Sequence, residues 1–540
     1  MRYNRIDRYN NIDLLPILKT PDKKKRANNL VVGITPTQFN LYCMLLQMHI
    51  IIKIVTAVVK VDDKIDSDGA KEQTNMAERR ADHTINEQVM ATIKNEHVRF
   101  VNLEFTDVVG VAKCVTIPAD QLSECVRHGK WFDGSALENI ARVVESDMYL
   151  YPDLSTFAIL PGNVRMQSSA SQRQPAMHDD DIIARVICDI REPDGERFEG
   201  DPRGALSKVL AEARAMGFKY QVGPELEFFL LQFENKKPMP LQDDPGSYFD
   251  LSTQSTIAIR NEMVHALQSM GIKIDGSHHE VAAGQHEIDL EAGDALRTAD
   301  SLMTAKYVIK AVAAQHNLYA TFLPKPFYRT NGSGLHIHQQ LINLETGKNA
   351  FVDEQGEYGL SEIGRGFIAG QLTHARSMCA ILAPLVNSYK RLVRGYEAPV
   401  FINWGRVNRQ ALIRVPRPGR DMQTSMRIEL RCTDPSCNPH LALAVMLHAG
   451  LEGIRHQLPL PPAMDESIFL QDDSERLRPR SRLLPATLGE ALDSMREDPL
   501  IREVLGDTIY ENFIDAKSIE WTEYRQQVHQ WELERYLPQF

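Results

Sequence analysis

The 540-residue chain has no Gly-x-x-x-x-Gly-Lys-[Ser/Thr] loop and no Gly-x-Gly-x-x-Gly turn after a strand. A nucleotide, if one binds, is therefore held by a design other than the P-loop or the dinucleotide turn. Cysteine is scarce. The seven present are scattered and odd in number, which excludes a disulfide framework and predicts reduced thiols in a cytoplasmic protein. An excess of positive charge is missing too: the formal net charge is -11. A nucleic-acid partner, which favours a basic surface, is not expected. Nor is there a clean apolar run of the roughly 20 residues a membrane helix needs. The nearest, 41–59, is interrupted by Gln47, His49 and Lys53, so no membrane partner is expected. It also lies too far into the chain for an ordinary signal peptide.

What is present has the make-up of a globular protein, 43% hydrophobic and 25% charged. The length predicts two or more domains. Residues 1–90 pass from a basic run (Lys23, Lys24, Lys25, Arg26) through the apolar stretch to a polar tract without a coherent pattern. They read as a divergent or even non-native extension. From Val98 the texture alternates like strands, which predicts a small β-rich domain over 91–162. A Ser-, Gln- and Asp-rich linker over 163–181 follows, then a larger domain over 182–540 opening on the apolar strand Ile182–Ile190. Helical spacing is predicted over 202–216, 256–270, 294–316 and 361–383, and the last hundred residues read as mainly helical.

Four stretches carry the chemistry. They are Glu225-Leu-Glu227, His278-His279-Glu280-Val-Ala-Ala-Gly-Gln-His286-Glu287, Asn331-Gly332-Ser-Gly334-Leu-His336-Ile-His338 and Arg427-Ile-Glu429-Leu-Arg431. Charged residues alternate with apolar ones, so each stretch reads as a strand with positions i and i+2 on one face. If Val281–His286 turns a hairpin, Glu280 and Glu287 face each other across the ladder, about 5 Å apart. Carboxylates placed so repel unless a cation sits between them. Five carboxylates and a histidine on strands read as a hard-cation site with more than one metal. Taken singly, each stretch has a plainer reading: a solvated Glu-x-Glu face, surface histidines, or a same-face salt-bridge ladder. Their joint occurrence in one order defeats those readings.

With Phe132-Asp133-Gly134-Ser135, Glu145-Ser146-Asp147-Met148, Asn387-Ser-Tyr-Lys-Arg391-Leu and Gly395-Tyr-Glu397-Ala-Pro, these motifs identify a resemblance. From Val98 to Phe540 the chain resembles class I glutamine synthetases, with features of their alpha branch. The resemblance implies an α/β (α+β) fold: a small β-grasp domain, then a catalytic domain with a curved antiparallel sheet and flanking helices. It implies ATP-dependent ligation of ammonia to the γ-carboxylate of glutamate through a γ-glutamyl phosphate, with two or three Mg²⁺ or Mn²⁺ ions per site. It also implies a homo-oligomer, a dodecamer of two hexameric rings, with active sites shared between subunits.

By match of motif, Glu227, Glu280 and Glu287 correspond to ligands of the metal nearer glutamate, and Glu225, His336 and Glu429 to ligands of the metal nearer the phosphates. Arg391 and Arg431 resemble glutamate-binding arginines, and Asn331 and Gly332 the loop that holds the amino-acid end. Arg409, Arg414 and Arg427 resemble phosphate-binding arginines, while His338, Gln340 and Asp275 match nucleotide-site positions. Asp133 matches the aspartate, contributed from a neighbouring subunit, that binds ammonium and takes its proton, Tyr248 a tyrosine near the same cation, and Glu397 the glutamate of the closing flap. Asp133, Glu397, Arg414 and Tyr248 are thus the implied catalytic set.

The chain departs from the family at Ala136 and Gln340, where serines are usual, and in a 417–426 segment about three residues long for its place. The short loop after Phe233, Phe469 in place of a modified tyrosine and Arg142 before Glu145 point to the alpha branch. The alternatives are a γ-glutamyl ligase for another amine, such as a polyamine, and a non-catalytic relative.

Overall fold

The computed structural model describes residues 84–137, 147–162, 181–241, 244–251, 254–465 and 482–540. The expected extension over residues 1–83, most of the expected linker, and Arg142, Glu145, Ser146 and Phe469 lie outside them. The expected boundary at residue 90 falls inside a helical stretch over 84–95, which buries Val89. The chain divides into Met1–Ile85 and Asn86–Phe540. Both sheets among the described residues belong to the second unit.

The first sheet has the order β2-β1-β5-β4-β3, built from β1 (Val98–Thr106), β2 (Ala112–Pro118), β3 (Lys130–Asp133), β4 (Asp147–Ile159) and β5 (Ile182–Arg191). In β1, Val101, Leu103 and Phe105 are buried on one face, as the alternation predicts. The strand Ile182–Ile190, expected to open the second domain, is instead the central strand of this sheet. It runs parallel to β1 and antiparallel to β4. Its near-continuous apolar run suits a strand covered on both faces.

The second sheet has the path β13-β14-β15-β12-β6-β9-β8. Its strands are β6 (Phe218–Glu234), β8 (Ile274–His279), β9 (Gln285–Leu290), β12 (Leu335–Asn343), β13 (Trp404–Gly405), β14 (Ile413–Arg414) and β15 (Ile428–Leu430). The short strands β7 (Lys237–Pro240), β10 (Gly293–Asp294) and β11 (Tyr319–Thr321) pair along the long β6. Helices Pro202–Ala215, Gln254–Ser269, Ala295–Gln315 and Pro439–Arg455 fall near the predicted spacings or in the predicted helical tail. The stretch predicted over 361–383 is two helices, Glu362–Thr373 and Ala375–Leu382, that meet at His374. Asp294 and Asn438 cap their helices by accepting backbone N–H groups of the first turn.

A buried guanidinium ties the first sheet to the helix Ala295–Gln315. Arg203, at the start of its helix, reaches Asp153 on β4, Asp189 on β5 and Asp300 on the helix Ala295–Gln315. His440 holds the other side of Asp300 at 2.9 Å. Removing one member of such a buried pair costs about 3–5 kcal/mol, because the remaining charge is stranded.

Candidate active site

In an antiparallel ladder, directly paired residues share a face. The register of the second sheet therefore lines up residues from distant parts of the chain. Arg414 pairs with Glu429 and Glu429 with His338. His336 pairs with Glu225 and Glu225 with Asp289. Glu227 pairs with Glu287 and Glu287 with His278. Three rows thus cross the sheet at two-residue spacing, all on one face.

The hairpin of β8 and β9 differs from expectation. Glu280 lies opposite Gln285, through a bond from its N–H to the Gln285 carbonyl, and Glu287 lies opposite His278. Gly284, at φ +68°, closes a tighter turn than the symmetrical one expected. The slip is of two residues, an even number, so Glu280 and Glu287 stay on the same face as diagonal neighbours. Ligand atoms of His278, Glu280 and Glu287 come within 4.8 Å of one another, as do those of Glu225, His338 and Glu429.

The electrostatics divide the cluster in two. Burial raises the Glu227 carboxyl to about 8, and Glu280 adds to the rise. Burial and the facing Glu227 push Glu287 far up as well. At Glu225 burial is outweighed by hydrogen bonds from His336 (2.9 Å) and His338 (2.7 Å), which hold it well below the usual carboxylate range. At Glu429, wholly buried, Arg431 overcomes burial and brings the carboxyl to about 2. Arg414 and Arg431 donate to its two oxygens. His336 Nε2 and Asp289 Oδ1 are buried without a hydrogen-bond partner among the described residues.

This donor set fits divalent cations. It offers carboxylate oxygens and one or two imidazoles, it is repulsive as it stands, and it holds a buried lone pair without a proton donor. Cation binding there must release protons. Near pH 7 a metal entering beside Glu227 and Glu287 should expel their protons, a transfer visible as buffer-dependent heats in calorimetry. In the metal-free protein both carboxyls sit above their unfolded value of about 4.3. Their contribution to stability is therefore full below that value and is lost as pH rises above it, for Glu227 through about 8. The metal-loaded and chelated proteins should diverge in melting temperature between pH 6 and 8. Equal heats in all buffers would contradict the assignment.

The rows floor a cavity of about 240 Å³. Asn331, Gly332, Arg391, Tyr396, Glu397, Arg409, Arg414, Arg431 and Tyr248 line it. Gly334 is required by close approach: a Cβ there would run into the Arg391 guanidinium and stand 3.0 Å from both Glu227 Oε1 and His336 Nε2. Arg391 is held by the carbonyls of Arg431, Cys432 and Thr433. Tyr248 lies on a turn fastened to the hairpin, through bonds from the Phe249 N–H to the His279 carbonyl and from the Gly284 N–H to the Asp244 carbonyl. The buried Asp244 carboxylate sits 3.4 Å from His279 Nε2 and 3.2 Å from His286 Nε2. Each histidine immediately precedes a predicted metal ligand, so this carboxylate braces the hairpin from behind.

Six predicted residues do not line the cavity: His338, Glu429 and Arg427 adjoin it, and three stand apart from the cluster. Asp275 is exposed, at the register shift of β8 where it has no cross-strand partner. Gln340 lies farther along β12, with its amide bonded to Gln221 and Asn349. Asp133 ends β3 on the other sheet, where its carboxylate accepts the Ser135 N–H at 3.0 Å. Arg427 stays beside the site, donating to His338 Nδ1 at 3.2 Å. Two contributors went unpredicted. Asp289 continues the alternation of Glu287 by two residues. Gln285 precedes it by two, and its amide nitrogen donates to Glu227 Oε2 (2.9 Å) and to the Gly332 carbonyl (3.2 Å). Period 2 alone could have flagged both.

Comparison with known proteins agrees with this geometry. Residues 199–536 match the glutamine synthetase catalytic domain, and residues 97–193 match the glutamine synthetase β-grasp domain. The chain belongs to the glutamine synthetase family. It is 46% identical over 454 residues to the glutamine synthetase of Thermus thermophilus, covering 83% of this chain and 98% of that protein. It is 44% identical over 456 residues to the glutamine synthetase of Methanosarcina mazei, covering 84% and 98%. Among solved structures, one titled "GmaS/ADP complex-Conformation 1" aligns with a TM-score of 0.71 at 29% identity, covering 83% of this chain and 99% of that one. In family terms the first sheet is the β-grasp domain and the second carries the catalytic cleft. Among the described residues no helix is long and apolar enough to cross a membrane.

Proposed function

We propose that the chain ligates ammonia to the γ-carboxylate of L-glutamate, with ATP converted to ADP and phosphate through a γ-glutamyl phosphate. One observation carries this reading. On one sheet face, carboxylates held together against their repulsion (Glu227, Glu287) lie across His336 from a carboxylate neutralised by two arginines (Glu429 with Arg414 and Arg431). A site for cations beside a site for anions is what phosphoryl transfer to a carboxylate needs.

Glu227, Glu280 and Glu287 would hold one Mg²⁺ or Mn²⁺ ion, and Glu225, His336 and Glu429 another. Bound there, such ions neutralise the transferring phosphoryl group and line it up with its acceptor. The protein's own groups do the rest. Arg391, with Asn331 and Gly332, orients the amino-acid end of glutamate. Arg409, Arg414 and Arg427 grip phosphate oxygens, for which the planar guanidinium fork is matched. Arg431, pinned to Glu429, binds glutamate with Arg391. Ammonium must lose a proton before it attacks the acyl carbon and phosphate leaves. Asp133 of a neighbouring subunit takes that proton, with Tyr248 beside the cation. Glu397 closes the cleft against water and accepts the later proton.

Asp133 lies outside its own subunit's cavity, which supports a homo-oligomer with shared sites, a dodecamer of two hexameric rings. The two-residue turn Asn235–Lys236 between β6 and β7 leaves no room for an insertion after Phe233, which supports the alpha branch. The cytoplasm is the compartment that suits its free cysteines.

The test is glutamate-dependent phosphate release and amide formation with ammonia, methylamine, ethylamine or putrescine. Ammonia is expected to give the highest kcat/KM. Preference for putrescine would replace glutamine synthesis with another γ-glutamyl ligation, and no turnover with any amine would indicate a non-catalytic relative.

A further inference from the structure

The turn that carries Glu397 is lightly held. Residues 393–395 and Glu397 are exposed, and among the described residues no backbone hydrogen bond is made by 397–399. Gly395 bends the chain at φ +93°. Tyr396 alone between 393 and 397 is half-buried, and the ammonium of Lys325 lies over its ring, 3.6 Å from the centre.

Lys325 is fixed at its backbone. Its N–H donates to Asn387 Oδ1 at 2.7 Å, and its carbonyl accepts from Asn387 Nδ2 at 3.1 Å. Asn387 precedes the short helix Ser388–Arg391 that bears Arg391. The lysine Nζ donates to the Thr330 carbonyl, one residue before Asn331, and its stem lies 3.3 Å from where a Gly332 Cβ would be. Among the described residues no carboxylate lies within ion-pairing distance of Nζ. A partly desolvated ammonium satisfied by a carbonyl and an aromatic face, with no counter-ion, makes its contribution through what it joins.

We propose that Lys325 is a positioning residue that latches the Glu397 turn to the Asn331–Gly332 loop, so that closure over the acyl phosphate depends on that loop being in place. The proposal rests on the reaction proposed above. With the latch gone, the turn opens more often and water takes the acyl group: phosphate is released, glutamate is regenerated and no amide forms.

The full-length protein is assayed for phosphate and glutamine in the same vessel. Wild type should release close to one phosphate per glutamine. Lys325→Met keeps the stem and loses the charge, and should raise that ratio about three- to tenfold. Tyr396→Leu should do the same, Tyr396→Phe should restore most of the coupling, and the double variant should be no worse than either single one. A merely structural lysine would lower both products together at an unchanged ratio, and that result overturns the latch. A second readout needs no turnover. Trypsin should cut after the exposed Arg394 about three- to tenfold faster in Lys325→Met and Tyr396→Leu than in wild type. Equal cleavage rates would overturn the latch. Failure of wild type to form any amide, with faster cleavage in the variants, would overturn the reaction and leave the latch standing.

Discussion

Glu280→Ala and Glu429→Ala should each lower glutamine formation by about a hundred- to a thousandfold, the scale expected when a charged metal ligand is removed from a phosphoryl-transfer site. The two should differ in stability. Glu280 contributes to the repulsion that raises Glu227, so in the metal-free protein Glu280→Ala should melt at or above the wild-type temperature. Glu429 is the buried counter-charge of Arg431 and also meets Arg414. Its loss strands guanidinium charge and should cost about 3–5 kcal/mol. Glu429→Gln, which keeps the shape, separates lost ligation from lost packing. The checks are steady-state kinetics at saturating Mg²⁺ or Mn²⁺ and thermal unfolding with and without chelator. Wild-type turnover in a folded Glu280→Ala protein would remove Glu280 from the metal set.

Asp133→Asn should lower kcat/KM for ammonia by about a hundred- to ten-thousandfold, the range for losing a general base, while phosphorylation of glutamate persists as slow ATP hydrolysis. The carboxylate is exposed at the end of β3 and outside its own subunit's cavity, so the change should leave the fold intact. Sharing can be tested by mixing. Under the proposed sharing, Asp133→Asn and Glu280→Ala damage different halves of one site. Co-assembled in equal amounts, they should regain about a quarter of wild-type sites, the chance that an intact cleft meets an intact neighbour. No recovery in verified hybrids would place Asp133 in the site of its own subunit. Loss of ATP binding with normal ammonia saturation would move it to another part of the mechanism.

The strands that bear the site were legible because a buried charge every second residue is costly unless something binds it, and Glu225/Glu227, His336/His338 and Arg427/Glu429/Arg431 all obey that period. Register was less legible. The turn after Glu280 was placed by symmetry, whereas Gly284 tightens it and moves Glu280 opposite Gln285. Only the evenness of the slip kept the face right. Asp289 and Gln285 were passed over because each extends an alternation already accounted for. Ile182–Arg191 was assigned by its neighbours in sequence, but an apolar strand does not say which sheet it joins. Its partner β1 lies some eighty residues earlier, and the pairing brings Asp189 of this strand and Asp153 of β4 to the same buried Arg203. Asp275 stands apart from the cluster for a local reason, since a shift in register turns one residue out of the pattern.

Because each row runs perpendicular to the strands, the cleft tolerates insertions and deletions unevenly. One residue gained or lost inside β6, β9, β12 or β15 would turn that strand's ligands to the opposite face. The connections between the strands carry no such constraint, since lengthening a loop costs little closure entropy. The 417–426 segment, expected from the resemblance to be about three residues too long for its place, lies in such a connection. It extends the path from β14 to β15, yet Arg414 and Glu429 still pair directly across the ladder. Length variation among relatives should therefore collect in the connections and stop where the rows begin.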